Sequence, residues 1–353
     1  MRAISAVDSV SLAVQRTRDF LFRPFNWATY LKLGLVAIVT EGVGSNFRSN
    51  IGGRHPGQPS GHGPMIYSPS DIPAAWIAAA VAAILLVVIV SLFIGYLVTR
   101  LRFAYFHCLI HNTTEIRPGW RLYRDQATRF FWLNVVVGFC FLLLVVLAAL
   151  PFVAGFWRLF HEMSSGGHPD IGLILALVLP LLPVILLLAL LGVLTDLVLR
   201  DGLLPHYALD DATAGEAWTE VWARIRAEKR QFVVYALLRV VLPAIAMVGV
   251  FAVLLLPGLM VAGAAAAIEY GIHSAFAHAS GASTLVGIVL QVFFGVLAFG
   301  FAMLLSICVG GPVSTGIREY ALTFYGGRYQ ALGEMLDPPA PPLPAPPGAP
   351  RFA

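Results

Sequence analysis

Charge is what this chain has least of: only 12% of its 353 residues are Asp, Glu, Lys or Arg, about half of what a water-soluble domain carries. Such a chain cannot cover a water-facing surface, and a soluble globular protein is excluded. Cysteine is scarce as well. Cys108, Cys140 and Cys308 lie in or beside apolar runs and share no metal-ligand spacing, so neither a disulfide framework nor a zinc site is supported. A cleavable signal peptide is also missing, because Arg2, Asp8, Arg16, Arg18, Asp19 and Arg23 leave residues 1–23 without an uncharged apolar stretch, and a retained N-terminus is expected. No nucleophile elbow, phosphate loop, His-Glu zinc motif or kinase signature stands where its chemistry needs it. The sequence therefore assigns no catalytic residue, no metal and no cofactor.

What the chain has instead is hydrocarbon. Hydrophobic residues make up 58% of it and the mean hydropathy is +0.80. Apolar runs longer than the roughly 18 residues that mark a bilayer span recur along its length. The expected fold is an all-α polytopic integral membrane protein with about six transmembrane helices, near 27–43, 72–98, 130–156, 171–198, 232–268 and 284–309. The first is short and carries Lys32 and Glu41, so a re-entrant or strongly tilted segment is the alternative there. The fifth contains Pro243 and Pro257, which should kink it or end it early.

Orientation follows from the basic residues, since cytoplasmic connections keep positive charge. Twenty of the 23 Lys and Arg fall in one alternating set of connections, and only Arg48, Arg54 and Arg158 fall in the other. Both termini are therefore expected in the cytoplasm of a bacterium, with the chain in its inner membrane. The net charge of +4 then reflects anionic headgroups as partners, not nucleic acid.

The two long basic connections look like copies. Arg102 is followed by His107 and Trp120, and Arg200 by His206 and Trp218, both Arg-to-Trp separations being 18. Beyond each Trp lies an amphipathic pattern: Trp120, Tyr123, Ala127 and Phe130 share one face, and Ala214, Ala217, Trp218, Val221, Trp222 and Ile225 another. Thr213 and Glu216 form a capping-box start, with Asp210 and Asp211 suited to the positive helix N-terminus. The N-terminus supplies a third copy, with Ile4, Val7, Val10, Val14 and Leu21 on one stripe and Asp8, Gln15, Arg16 and Asp19 opposite. The chain thus reads as a single membrane domain over 1–336, built of three helix-hairpin units at about 1–112, 113–208 and 209–325, followed by a disordered Pro-rich cytoplasmic tail at 337–353. The stretches "LVLRDGLLPHYALDDATAGEAW", "RIRAEKRQFVVYALLRVVL", "LAVQRTRDFLFRPFNWATYLKLGLVA" and "GPVSTGIREYALTFYG" resemble a bacterial family of uncharacterised multi-pass membrane proteins. That family is distantly similar to the membrane domain attached to some glycerophosphoryl diester phosphodiesterases. The resemblance covers most of the chain apart from the external loops and tail. It implies an all-helical membrane fold without an established activity, and the phosphodiesterase domain with its metal-binding carboxylates has no counterpart here.

Two groups of residues stand out as candidates. Asp196, near the end of the fourth span, and Lys32 and Arg239, each seven positions after the Phe that opens its unit, form a candidate intramembrane polar cluster in which Asp196 pairs with one of the two cations. Arg16, Arg18, Arg23, Arg121, Arg124, Arg129, Arg224, Arg226, Lys229 and Arg230 are candidate lipid-headgroup contacts. His55, His62, His161, His168, His273 and His278 lie in the expected external loops at spacings too irregular for a metal site, and His107 with His111 reads as interfacial. The function these features favour is a non-catalytic, lipid-interacting or envelope-accessory membrane protein, which could also engage a membrane protein partner. A small-solute or ion transporter or channel is the alternative, and a membrane-embedded lipid enzyme is the weakest reading. The topology has a direct test: a reporter active only in the cytoplasm should work when fused after Asp211 and fail after Gly57, and the opposite pattern would invert the orientation.

Overall fold

The structure, a computed structural model, describes residues 4–42, 74–164, 171–276 and 282–337. The expectations for His55, His62, His168, His278 and the tail beyond Asp337 lie outside these residues. Every regular element among them is helical. In chain order these are Asp8–Phe22 (α1), Trp27–Ala37 (α2), Ala74–His111 (α3), Ile116–Leu122 (α4), Arg124–Ser164 (α5), Ile171–Leu197 (α6), Leu204–Leu209 (α7), Ala214–Ala227 (α8), Lys229–Phe276 (α9), Ala282–Gly326 (α10) and Gln330–Leu336 (α11). Two π-helical segments interrupt the pattern, Ile38–Gly42 after α2 and Val198–Leu203 between α6 and α7.

Among the described residues, five helical runs are long and apolar enough to cross a membrane: α3, α5, α6 continued through α7, α9 and α10. Their oil is left outside. In the most apolar 18-residue stretch of each, no side chain is buried within the protein; Leu186, Val248 and Phe299 are typical, at 72%, 70% and 71% exposed. At roughly 25 cal/mol for each Å² of apolar surface, such faces are untenable in water and free of cost in hydrocarbon. The chain is an all-α polytopic membrane protein. On α5 the exposed rings of Trp132 and Trp157 stand 25 residues apart, about 38 Å at 1.5 Å per residue. That separation suits two aromatic belts on either side of a bilayer about 40 Å thick with its headgroups.

Two sequence expectations change. The first expected span, 27–43, is not among the five, because α2 has 11 residues and its π-helical continuation five, a rise of about 24 Å. It is a packed segment: Leu33 and Ala37 are fully buried, and the Tyr30 hydroxyl donates to the Cys308 carbonyl of α10 at 2.5 Å. Glycines make the contact possible, since a Cβ on Gly311 would sit 2.7 Å from Gly34 Cα. Pro243 and Pro257 do not end the fifth span, and α9 runs through both for 48 residues. Away from water a freed carbonyl finds neighbouring helices or local adjustment in place of solvent, so proline costs a membrane helix less.

The ends of the spans nearest the basic connections gather the short helices into a buried core. Phe103 of α3, Phe130 of α5 and Tyr207 of α7 are buried there, edge to face at 5.5 and 5.3 Å. The expected amphipathic faces serve this core only in part. Tyr123, Ala127 and Phe130 are buried as the pattern demands, but α4 stops before Tyr123 and α5 begins afresh, so no single helix carries that face. On α8, Ala217 and Val221 turn inward, Val221 against Gly202, while Trp218 and Trp222 stay outside, stacked at 6.1 Å. On α1 the buried side is Ser9, Ala13, Thr17, Phe20 and Leu21, whereas Val7 and Val14 of the expected stripe are 64% and 63% exposed.

Beyond this core the spans part into two groups, α5 packing on α6, and α9 on α10, which α2 and α1 also flank. The glycine contact makes a sharp prediction. Gly311→Leu should push α2 from α10 and cost about 1 to 3 kcal/mol as an overpacked site, read as a lower melting temperature in detergent, while Gly300→Leu, in open space, should leave it within experimental error.

Candidate functional site

Where α2, α3, α6, α9 and α10 converge, the protein buries charge. Glu41 and Asp201, carried by the two π-helical segments, are 9% and 3% exposed at the side chain. Asp201 receives Arg239 Nε at 3.0 Å and the Tyr235 hydroxyl at 2.7 Å on one oxygen, and Arg318 Nη1 at 3.0 Å on the other. Glu41 accepts from Arg239 Nη2 at 3.2 Å, with Arg318 and Arg200 at 3.9 and 3.8 Å. Arg102 closes the far side, its Nε donating to the Thr40 carbonyl at 3.1 Å. Three guanidinium groups thus meet two buried carboxylates, and a fourth meets the carbonyl beside one of them. Arg cannot shed its proton to escape such a site, so each charge must find a partner. π-Helical turns recur at functional sites, and here both of them deliver an acid to the same point.

One carboxylate of this neighbourhood stays open. Asp196 lies one turn before Arg200 on α6, with Oδ1 at 2.9 Å from Arg200 Nε, and its side chain is 55% exposed. The Arg200 N–H does not aim at that oxygen well enough for a hydrogen bond, which makes this a loose ion pair. Asp196, Arg239 and the rim of the buried cluster form the floor of a cleft of about 1240 Å³ between the α5–α6 and α9–α10 pairs. Asn134 and Thr195 add polar groups near the floor. Its walls are mostly apolar, with Val137, Phe141, Val145, Ile185, Leu188, Val240, Met247 and Leu254, and Ser306 is a polar exception.

The three members of the expected polar cluster are only partly united. Asp196 and Arg239 line the same cleft, but the partner of Asp196 is Arg200, and those of Arg239 are Asp201 and Glu41. Lys32 is elsewhere: it is exposed and reaches the Thr114 carbonyl at 3.4 Å. It sits on the outer face of α2, where snorkelling is easier than burial. The ten expected headgroup contacts divide in the same way. Arg16 is turned inward onto Glu319 at 3.1 Å and the Leu336 carbonyl, and Arg23, Arg129 and Arg224 pair with Asp19, Asp211 and Glu220. Arg18, Arg121, Arg124, Arg226, Lys229 and Arg230 are exposed and have no acidic partner among the described residues. Asp210 and Asp211 serve less as dipole partners than expected. Asp211 pairs with Arg129, and Asp210 lies 2.9 Å from His206 Nδ1. Arg224 approaches His206 Nε2 at 3.0 Å as a donor, which assigns the ring proton to Nδ1, facing Asp210. The capping box itself is present, and the Thr213 backbone N–H and hydroxyl hold the Glu216 carboxyl below its ordinary pKa.

Sequence reasoning missed Glu41, Arg102, Arg200, Asp201 and Arg318 as site residues. A signal lay in the spacing: Arg102 and Arg200 each stand 18 residues before a Trp, and Arg318 opens "REYALTFYG". All three end in one place, lining a small void with Thr40, Glu41 and Tyr105. Neutralising one acid should expose the interdependence. Asp201→Asn should cost about 3 to 5 kcal/mol, the usual penalty for orphaning a buried partner. Combining it with Arg239→Gln should cost less than the two single changes added, and Lys32→Gln should stay within about 0.5 kcal/mol of the parent, all by thermal melting in the same detergent. Additivity of the pair would show that the charges do not depend on one another.

No curated protein and no solved structure is similar to the chain, so the expected link to glycerophosphoryl diester phosphodiesterases gains no support from them. A family of unknown function, DUF7544, matches residues 4–335, and the chain belongs to that family.

Proposed function

We propose that this is a non-catalytic, lipid-binding protein of the bacterial inner membrane, with its termini and basic connections in the cytoplasm, and that the cleft holds one phospholipid. The observation that carries the reading is the pairing of a charged floor with apolar walls in a single cleft. Its depth fits. Asn134, at the floor, is two residues from the belt residue Trp132 on α5, which puts the floor at headgroup level. From Arg239 to Leu254 the lining climbs α9 by 15 residues, about 23 Å, enough for a headgroup and the roughly 15 Å of hydrocarbon in one leaflet. On α5 the lining ends at Val145, 12 residues or about 18 Å short of Trp157. A polar path across the bilayer, which a solute transporter needs, gains no support from this shape.

The surface around the floor suits the same medium. Trp218 and Trp222 form an exposed stacked pair with the Arg226 guanidinium 5.2 Å from the Trp222 ring, and Lys229 and Arg230, which open α9, are exposed and without an acidic partner among the described residues. Rings at the boundary and bases among anionic headgroups are how interfacial helices seat themselves. Filling the cleft tests the proposal. Protein purified in mild detergent should carry close to one phospholipid per chain by mass spectrometry, and Ala189→Trp, on the cleft wall, should remove most of it without lowering expression. Equal retention by both proteins would reject the cleft as the site.

A further inference from the structure

The charges on the floor are not equivalent, and if the cleft holds a phospholipid, as proposed, the difference bears on which one fits. Glu41, Arg200 and Asp201 are each less than 10% exposed at the side chain and turn toward one another. Two groups keep an unused valence. Asp196 is the one carboxylate of the cleft that is more than half exposed; its Oδ1 is taken loosely by Arg200, and its Oδ2 has no partner among the described residues. Arg239 spends Nε on Asp201 and Nη2 on Glu41, and its Nη1 has no acceptor among the described residues. The floor therefore presents one anion and one cation edge, each with hydrogen-bonding capacity left over.

We infer that the cleft selects a phospholipid with a primary ammonium headgroup, the ammonium donating to Asp196 and the phosphate accepting from Arg239; this deepens the lipid-binding reading and rests on it. An uncharged polyol headgroup on the same phosphate would meet Arg239 but bring no donor to Asp196 Oδ2, leaving that carboxylate with its loose Arg200 pair alone. A quaternary ammonium matches the charge, yet it has no N–H to give the carboxylate. Only the primary ammonium satisfies both ends, and charge-assisted hydrogen bonds are the ones that discriminate most.

The test uses the full chain, washed in detergent and then equilibrated with mixed vesicles of phosphatidylethanolamine, phosphatidylglycerol and phosphatidylcholine in equal parts, with the retained lipid measured by mass spectrometry. The parent protein should keep phosphatidylethanolamine about tenfold over either competitor, the ratio expected from one such bond. Asp196→Asn should still retain about one phospholipid per chain but without preference, and Asp196→Glu should restore the preference. A parent without preference, or an Asp196→Asn protein that keeps it, overturns the headgroup assignment and leaves the lipid-binding reading standing. A parent that retains no lipid at all overturns both. If phosphoethanolamine in solution raises the melting temperature as much as the vesicles do, the ligand is a soluble amine phosphate and the lipid assignment fails.

Discussion

The fold turns on a constraint that arginine imposes. A lysine or a carboxyl group brought out of water can surrender its charge, but a guanidinium group keeps it, so a helix carrying a buried Arg can pack only where an acid or a free carbonyl oxygen waits. Arg102, Arg200, Arg239 and Arg318 come from four different helical runs; Glu41 and Asp201 are the acids that meet the last three, and the Thr40 carbonyl beside Glu41 meets Arg102. Such pairs stabilise little against an apolar core of the same shape, because desolvation offsets most of the Coulomb attraction. What they supply is specificity. No other register of α3, α6, α9 and α10 would give each guanidinium its partner, and in a bilayer, where oil on one helix is as content with lipid as with another helix, register needs some such device.

The same constraint explains the cleft. The five runs are held together at one end by ions, rings and the short helices, and α5 also packs on α6, and α9 on α10. Apolar walls in a bilayer have no hydrophobic drive to close on each other. The α5–α6 and α9–α10 pairs therefore stand apart where the ion cluster stops, and the boundary between buried charge and open oil falls at the level of Trp132. An amphiphilic cavity is what two apolar hairpins fixed at a charged base must leave between them.

How much of this the sequence discloses depends on the kind of signal. Spans are legible because twenty or so apolar residues in a row have one physical solution, and 130–156, 171–198, 232–268 and 284–309 fall inside α5, α6 with its continuation, α9 and α10. Packing is less legible. The glycine face of α2 fits against Gly311, and nothing in "WATYLKLGLVA" alone tells a span from a segment folded onto a neighbour. Burial of charge is least legible of all: Arg16 and Arg18 sit two residues apart on one short helix, and only the place of Glu319 on a distant helix sends the first inward and leaves the second outside. The convergence of Arg102 and Arg200 lay partly within reach, because both stand 18 residues before a Trp in basic connections of like pattern. Asp201, one residue beyond Arg200, was hidden by its neighbours Asp210 and Asp211, whose presence is explained by local partners.

The cleft also reaches past the protein itself. Its lining begins near Trp132 and ends well short of Trp157, so if these rings mark the two faces of a bilayer, as proposed, the opening faces a single leaflet. An occupant would exchange with lipids on that side and be blind to those on the far side. Biological membranes keep different lipids on their two faces, and a site of this shape would sample the composition of one of them, with an occupancy that rises and falls as that face alone is remodelled.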